Sequence, residues 1–200
     1  MLEILDHVGL AAFALSGTIT ASNRKLDVLG GYIIAFITAI GGGTIRDLLI
    51  NVDVAWISSI SQITVVFVAA TIGIFFQGIL RKLKTPLMLF DTIGIAVFTI
   101  IGVKKGINHD EMYIIALSLG LITATFGGLL RDVLCNEIPI IFRAELYAIP
   151  CLAGGGLYLI GEFIGFGDSS WLMWISIIFI MIFRGLAIVF SWKSPIIKKY

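Results

Sequence analysis

Charge is scarce in this sequence. Lys, Arg, Asp and Glu make up 14% of its 200 residues, against about a quarter in ordinary soluble domains. A soluble fold of this size has too little interior to hide a 58% hydrophobic share and a mean hydropathy of +1.04; a bilayer core is itself an apolar solvent and can take it up. Cysteine is equally sparse: Cys135 and Cys151 have neither metal-ligand spacing nor a disulfide framework, and read as small apolar residues. No basic stripe with interleaved aromatics is present, which excludes a nucleic-acid partner. The basic n-region of a signal peptide is missing, since the chain opens with Glu3 and Asp6, so the first apolar run is expected to stay as a membrane helix. GxSxG, HExxH and Walker A patterns are lacking, and Ser, His and Asp stand at no triad spacing. Neither an enzyme nor a cofactor is implied.

What the chain does have is long apolar runs. A spanning helix needs about 20 mostly apolar residues, and seven such segments lie near residues 4–23, 28–50, 58–80, 86–104, 112–134, 146–166 and 171–192. Short polar connections separate them and leave no room for a soluble domain. The fold expected is an all-α membrane protein. Lysine and arginine set its orientation through the positive-inside rule. With the N-terminus outside, eleven fall inside (Arg24, Lys25, Arg81, Lys82, Lys84, Arg131, Arg143, Arg184, Lys193, Lys198, Lys199) and three outside (Arg46, Lys104, Lys105). The C-terminus is therefore expected in the cytoplasm.

The sequence also repeats itself at a shift of 85 residues. Asp6-x-x-Gly9-x-Ala11-x-Phe13-x-x-x-Gly17 falls on Asp91-x-x-Gly94-x-Ala96-x-Phe98-x-x-x-Gly102. The same shift carries Thr38-Ala39 to Thr123-Ala124, Gly42-Gly43 to Gly127-Gly128 and Arg46-Asp47 to Arg131-Asp132, with no gap. Apolar composition alone does not place Gly-Gly and Arg-Asp in register. Three helices per unit is an odd number, so the second copy enters the membrane from the other side. The expected division is 1–85 and 86–170 as two inverted three-helix repeats, and 171–200 as a seventh helix with a tail. Inverted repeats are common in transporters, with the site between them.

The densest motif is Thr38-Ala39-Ile40-Gly41-Gly42-Gly43-Thr44-Ile45-Arg46-Asp47. Consecutive glycines weaken a helix, by about 1 kcal/mol each relative to alanine, so a kink or local unwinding that frees carbonyls is expected there. Helical spacing puts Thr38, Gly42 and Arg46 on one face and Ala35, Ala39 and Gly43 on the next. Their mates are Thr123, Gly127 and Arg131, then Gly120, Ala124 and Gly128. The small stripe suits close helix packing; the other suits either a polar path or more packing with a snorkelling arginine. Adjacent helical residues do not face each other, so Asp47 and Asp132 are expected to pair across to other helices, as a gate, a ligand contact or an interhelical lock. Asp6 and Asp91 are either helix caps or partners of the Arg-Asp sites. Lys104 and Lys105 are expected at solvent or headgroups, and Arg184 snorkelling with Lys193. Arg81, Lys82 and Lys84 form a basic cluster able to attract anionic lipid. The Gly154–Gly156 run is expected to pack or flex, and Trp171, Trp174 and Trp192 to anchor at the interfaces.

Gly41-Gly42-Gly43-Thr44-Ile45-Arg46-Asp47, its mate Gly127-Gly128-Leu129-Leu130-Arg131-Asp132 and the two Asp-x-x-Gly-x-Ala-x-Phe openings resemble the prokaryotic branch of the trimeric intracellular cation channel family, also described as the glycine transporter domain family. The resemblance covers roughly residues 6–165. It implies a homotrimer in a prokaryotic inner membrane, with one pore in each seven-helix protomer. It also implies passage of monovalent cations, chiefly potassium, past kinked helices 2 and 5. Eukaryotic members are linked to a phosphoinositide at a basic site that has no match here. The pore or gating residues implied are Thr38, Gly41, Gly42, Gly43, Thr44, Arg46, Asp47, Thr123, Gly127, Gly128, Arg131 and Asp132, with Asp6 and Asp91 as charge partners and potassium only in transit. Phe126 stands where the first motif has Gly41, which implies a milder second kink. Beside the channel stand a carrier for a small amino acid such as glycine, whose carboxylate an arginine could hold, and a non-transporting scaffold.

Overall fold

A computed structural model describes residues 1–80, 85–167 and 169–195 of the chain. The basic cluster Arg81, Lys82 and Lys84 and the tail lysines Lys198 and Lys199 lie outside the described residues. Seven main helices follow one another: α1 Leu2–Asn23, α2 Val28–Leu49, α3 Ile60–Phe75, α4 Pro86–Asn108, α5 Tyr113–Leu134, α6 Ala148–Gly161 and α7 Ser170–Val189. Six of the spans are long and apolar enough to cross a bilayer, the sixth helix counted through to Phe166.

Two expected segments differ in detail. The third was expected over 58–80, but α3 stops at Phe75 and a separate turn runs over Gln77–Leu80. Gln77 interrupts the apolar run there, its side-chain oxygen accepting from the Ser22 hydroxyl at 2.8 Å. At its 16 residues, α3 is roughly 24 Å long at 1.5 Å per residue. The sixth widens from α-helix to π-helix over Glu162–Phe166, where Gly165 takes a positive φ of 93° that a side chain would resist.

Helices α1, α2, α4 and α5 form the centre. α1 packs on α2 and α3, and in the same pattern α4 packs on α5 and α6; α1 also meets α4, and α2 meets α5. α7 lies against α4 and α6. Phe13 of α1 and Phe98 of α4 touch at the middle, ring centroids 5.3 Å apart. Each ring fills the notch left by a glycine on the opposite helix. A Cβ on Gly94 would lie 2.2 Å from the Phe13 ring, and one on Gly9 would lie 3.0 Å from the Phe98 ring. The outward faces of α3 and α7 carry large apolar side chains such as Phe75, Trp171 and Trp174, as lipid contact requires.

Candidate functional site

Both Arg-Asp pairs sit at the C-terminal ends of helices whose exits are built alike. Asn51 and Asn136 take positive φ (53° and 54°), a conformation asparagine tolerates, just beyond α2 and α5. Val52 N–H then donates to Asp47 O at 3.0 Å and Glu137 N–H to Asp132 O at 2.8 Å. The chain turns back so that Ala55 N–H reaches Asp47 Oδ2 at 3.1 Å and Ile140 N–H reaches Asp132 Oδ2 at 3.0 Å. Every member of the first set maps to the second at the shift of 85.

The arginines turn onto their own neighbours. Arg46 Nε donates to Asp47 Oδ1 at 2.8 Å, and Arg131 Nε to Asp132 Oδ1 at the same distance. The expectation that adjacent residues would not pair is corrected. Side-chain directions do diverge at neighbouring helical positions, but arginine is long enough to curl back across the gap. The expected bonds across helices are also present. Arg131 Nη1 donates to Asp91 Oδ1 of α4 at 2.8 Å and to the Ser16 hydroxyl of α1. Asp47 Oδ1 accepts from Lys105 Nζ of α4 at 2.7 Å. Lys105 is thus a partner of Asp47, not the solvent-facing lysine expected. Its long stem reaches inward from the last turn of α4.

Asp6 and Asp91 lie within α1 and α4, not at their caps, which Met1 and Thr85 occupy. Asp91 is a partner of Arg131. Asp6 accepts instead from the Gln62 side-chain amide, at 2.6 Å. Three cations (Arg46, Lys105, Arg131) thus face three carboxylates (Asp47, Asp91, Asp132), and the paired set is neutral. A buried ion pair persists only when its charges are so compensated and hydrogen-bonded.

Of the two parts expected of the glycine motifs, close packing and local unwinding, the structure has the first. Helix runs unbroken through Gly41–Gly43 in α2 and through Gly127–Gly128 in α5, so the local unwinding is not there. Instead the two helices cross at these points. A Cβ on Gly42 would lie 2.1 Å from Thr123 O, and one on Gly127 would lie 2.2 Å from Thr38 O. Each glycine admits the other helix's backbone, as in small-residue packing in membranes. The Thr38 and Thr123 hydroxyls donate to Ile34 O and Leu119 O of their own helices, both at 2.6 Å. They lie against Gly17 and Gly102 rather than lining an open path. Thr44 donates to Ile40 O and accepts from Trp56 Nε1 at 3.0 Å.

Cavities lie at both ends of this central layer. The first, about 400 Å³, is lined by Asp6, Arg46, Gln62, Lys104, Lys105 and Asn108 among others. A smaller one of about 30 Å³, sharing Asp6, Arg46 and Gln62 with it, reaches inward to Ala39, Gly43 and Phe98. The second end has a cavity of about 100 Å³ at Thr20, Asn23, Arg24, Asp132, Glu137 and Arg143. Asn23 and Asn108, Thr20 and Lys105, Ile140 and Ala55 are repeat mates, so the two end cavities occupy equivalent places.

Arg184 does not snorkel. Buried at 2% exposure, it donates to Leu146 O at 2.7 Å and Glu145 Oε2 at 3.2 Å, with its guanidinium 5.1 Å from the Tyr147 ring centre. Of the Gly154–Gly156 run, Gly154 packs on Ile180 and Gly155 on Leu117. Ser16, Gln62 and Tyr147 belong to the site and were not singled out in the sequence. Gln62 and Tyr147 are mates at the shift of 85 but differ in type, so the repeat gives no signal for either.

The sequence profile of the glycine transporter family matches residues 3–78 and again 88–162. The UPF0126 inner membrane protein YadS of Escherichia coli K12 is 40% identical over 153 residues, 76% of this chain and 74% of that one. A solved structure from work on conductance through TRIC cation channels superposes with a TM-score of 0.89 at 30% identity, over 99% of this chain and 98% of that one. The trimeric intracellular cation channel orthologue from Rhodobacter sphaeroides gives 0.85 at 27% identity, over 95% and 98%. With both sequence repeats matched by one profile and the whole fold shared, the chain belongs to the trimeric intracellular cation channel family, in the branch that the glycine transporter profile describes.

Proposed function

We propose that the protein is a channel for monovalent cations, chiefly potassium, with a path inside each protomer between α1, α2, α4 and α5. The observation that carries this reading is the pair of equivalent end cavities separated by Phe13 and Phe98 and flanked by the Arg-Asp sites. Two buried arginines alone would repel a cation; three matched carboxylates and the additional Asp6 remove that barrier. In this reading Arg46-Asp47 and Arg131-Asp132 gate the two ends. Gly41–Gly43, Gly127 and Gly128 let the backbones of α2 and α5 come close, Thr38 and Thr123 pack beside that crossing, and Thr44 lines the inner cavity at the first end. The solved relatives are described as cation channels, one of them as trimeric, which supports cation conduction and a homotrimer here. The protein acts in the lipid of a prokaryotic inner membrane, N-terminus outside and C-terminus in the cytoplasm.

A small amino-acid carrier is the second reading. It is favoured by the inequality of the cavities, about 400 Å³ against 100 Å³, since a carrier opens one end at a time. Purified protein in planar bilayers separates the two. Unitary potassium currents without any amino acid support the channel; saturable glycine counterflow with no currents would overturn it in favour of the carrier.

A further inference from the structure

The cavity at the second end has a charged rim. Arg24 stands just past α1, and Glu137 and Arg143 stand in the connection from α5 to α6. All three line that cavity, with side chains 40%, 37% and 41% exposed. Thr20 and Asp132 line it too, at 5% and 3% exposure, so they lie beneath the rim. Arg24 Nη2 forms an ion pair with Glu137 Oε1. Arg143 Nη2 donates to Glu137 Oε2 at 3.4 Å, and its Nε to Ile138 O at 2.9 Å. One carboxylate thus ties the exit of α1 to the connection after α5, above the Arg131-Asp132 site. The first end has the same backbone places with other side chains. His109 ends α4 as Arg24 ends α1, and Val52 N–H bonds back to Asp47 O as Glu137 N–H does to Asp132 O. The mates of Arg24, Glu137 and Arg143 are His109, Val52 and Ser58. Valine has no charge, so these three cannot build the bridge.

We propose that Glu137, held between Arg24 and Arg143, closes the second mouth as an ionic clasp that parts to admit a monovalent cation towards Asp132. The inference deepens the proposed function and rests on its path reaching this cavity. An exposed ion pair is weak and is screened by salt, so the clasp can open without disturbing the buried pairs of Arg131 beneath it. Arg143 and Glu137 belong to the same connection, whereas Arg24 belongs to another. The Arg24–Glu137 bond is therefore the one that spans the mouth, and the Arg143 bond orients Glu137 for it. Among the described residues, none of the three bonds to a residue at the first end. The clasp can open while the first end stays open, as a continuous path requires. Ionic strength on the side of the second mouth then acts directly on the gate.

The test uses full-length protein in lipid nanodiscs, with Cys135 and Cys151 replaced by Ala and one cysteine introduced by Thr20→Cys, beneath the clasp. The probe is methyl methanethiosulfonate, a small neutral thiol reagent that charge does not steer, with labelling followed by mass spectrometry. Raising potassium chloride from about 0.05 M to about 1 M, which shrinks the screening length several-fold, should speed labelling about threefold, within what an exposed ion pair can hold closed. Glu137→Gln and Arg24→Glu should each label fast at low salt and lose the salt response. The swap, Arg24→Glu together with Glu137→Arg, restores opposite charges and should return both the slow rate and the salt response. An Asn108→Cys control, in the first cavity, should be unaffected by Glu137→Gln. Labelling at position 20 that ignores both salt and Glu137→Gln, or a swap as fast as Arg24→Glu alone, overturns the proposal. Potassium currents are recorded from the same variants in planar bilayers, where Glu137→Gln should raise open probability. Currents that are present and unmoved by Glu137→Gln also overturn the clasp. No currents from any variant, with the labelling pattern intact, refutes the channel reading and leaves the clasp standing.

Discussion

Arg131 is the most enclosed charge among the described residues, at 0% exposure, with two carboxylates on it. Removing one partner of a buried pair leaves the others uncompensated, at about 3–5 kcal/mol. Arg131→Met should therefore lower the melting temperature in detergent sharply. Arg46→Met should cost less, because Asp47 keeps Lys105 and the Ala55 N–H. Equal losses would show that the two sites are not as differently supported as described. Both substitutions should also change potassium flux in proteoliposomes, and unchanged flux in both would defeat the gating role. The glycines give a second contrast. Gly42→Ala and Gly127→Ala drive a Cβ into a backbone carbonyl and should destabilise by about 1–3 kcal/mol, the usual cost of overpacking. Gly185 meets nothing within 4 Å, so Gly185→Ala should be neutral or gain up to about 1 kcal/mol from helix propensity. Thermal unfolding of the three variants side by side measures this.

At the scale of elements, helix existence was legible because apolar runs of spanning length leave few alternatives, and the repeat was legible because Gly-Gly and Arg-Asp recur in register. For the glycines the sequence left packing and unwinding both open, and only packing is found. Their weak helix propensity suggested unwinding, but propensity yields to tertiary packing, and here the partner helix occupies the space that the missing side chains leave. Lys105 and Arg184 were misplaced for a related reason: position along a helix tells the end a charge is near, not which neighbour its long stem can reach. Gln62 and Tyr147 carry no motif, and only the fold shows them beside the aspartates. The central aromatic pair supplies a prediction at this scale. Phe98 fills the Gly9 notch between the two ends of the proposed path. Phe98→Ala should raise potassium flux severalfold in liposomes, and a flux equal to the parent's would place the restriction elsewhere.

The whole molecule is two interlocked halves, each contributing a phenylalanine, a close-packed glycine and an Arg-Asp pair to the other's surroundings. In the proposed reading neither half completes the path alone, which explains why the motifs read one at a time were ambiguous. The orientation drawn from lysine and arginine predicts that a cysteine replacing Asp110, between α4 and α5, reacts with membrane-impermeant thiol reagents added outside intact cells, while one replacing Ser194 does not. The reverse pattern would invert the topology. The central claim is that this enclosed, charge-compensated layer conducts potassium. The direct measurement is single-channel recording of the purified protein in planar bilayers with potassium as the only permeant cation and no amino acid present. The account predicts discrete unitary currents whose amplitude or open probability changes in Arg46 and Arg131 variants. Silent bilayers containing correctly folded trimers would contradict it.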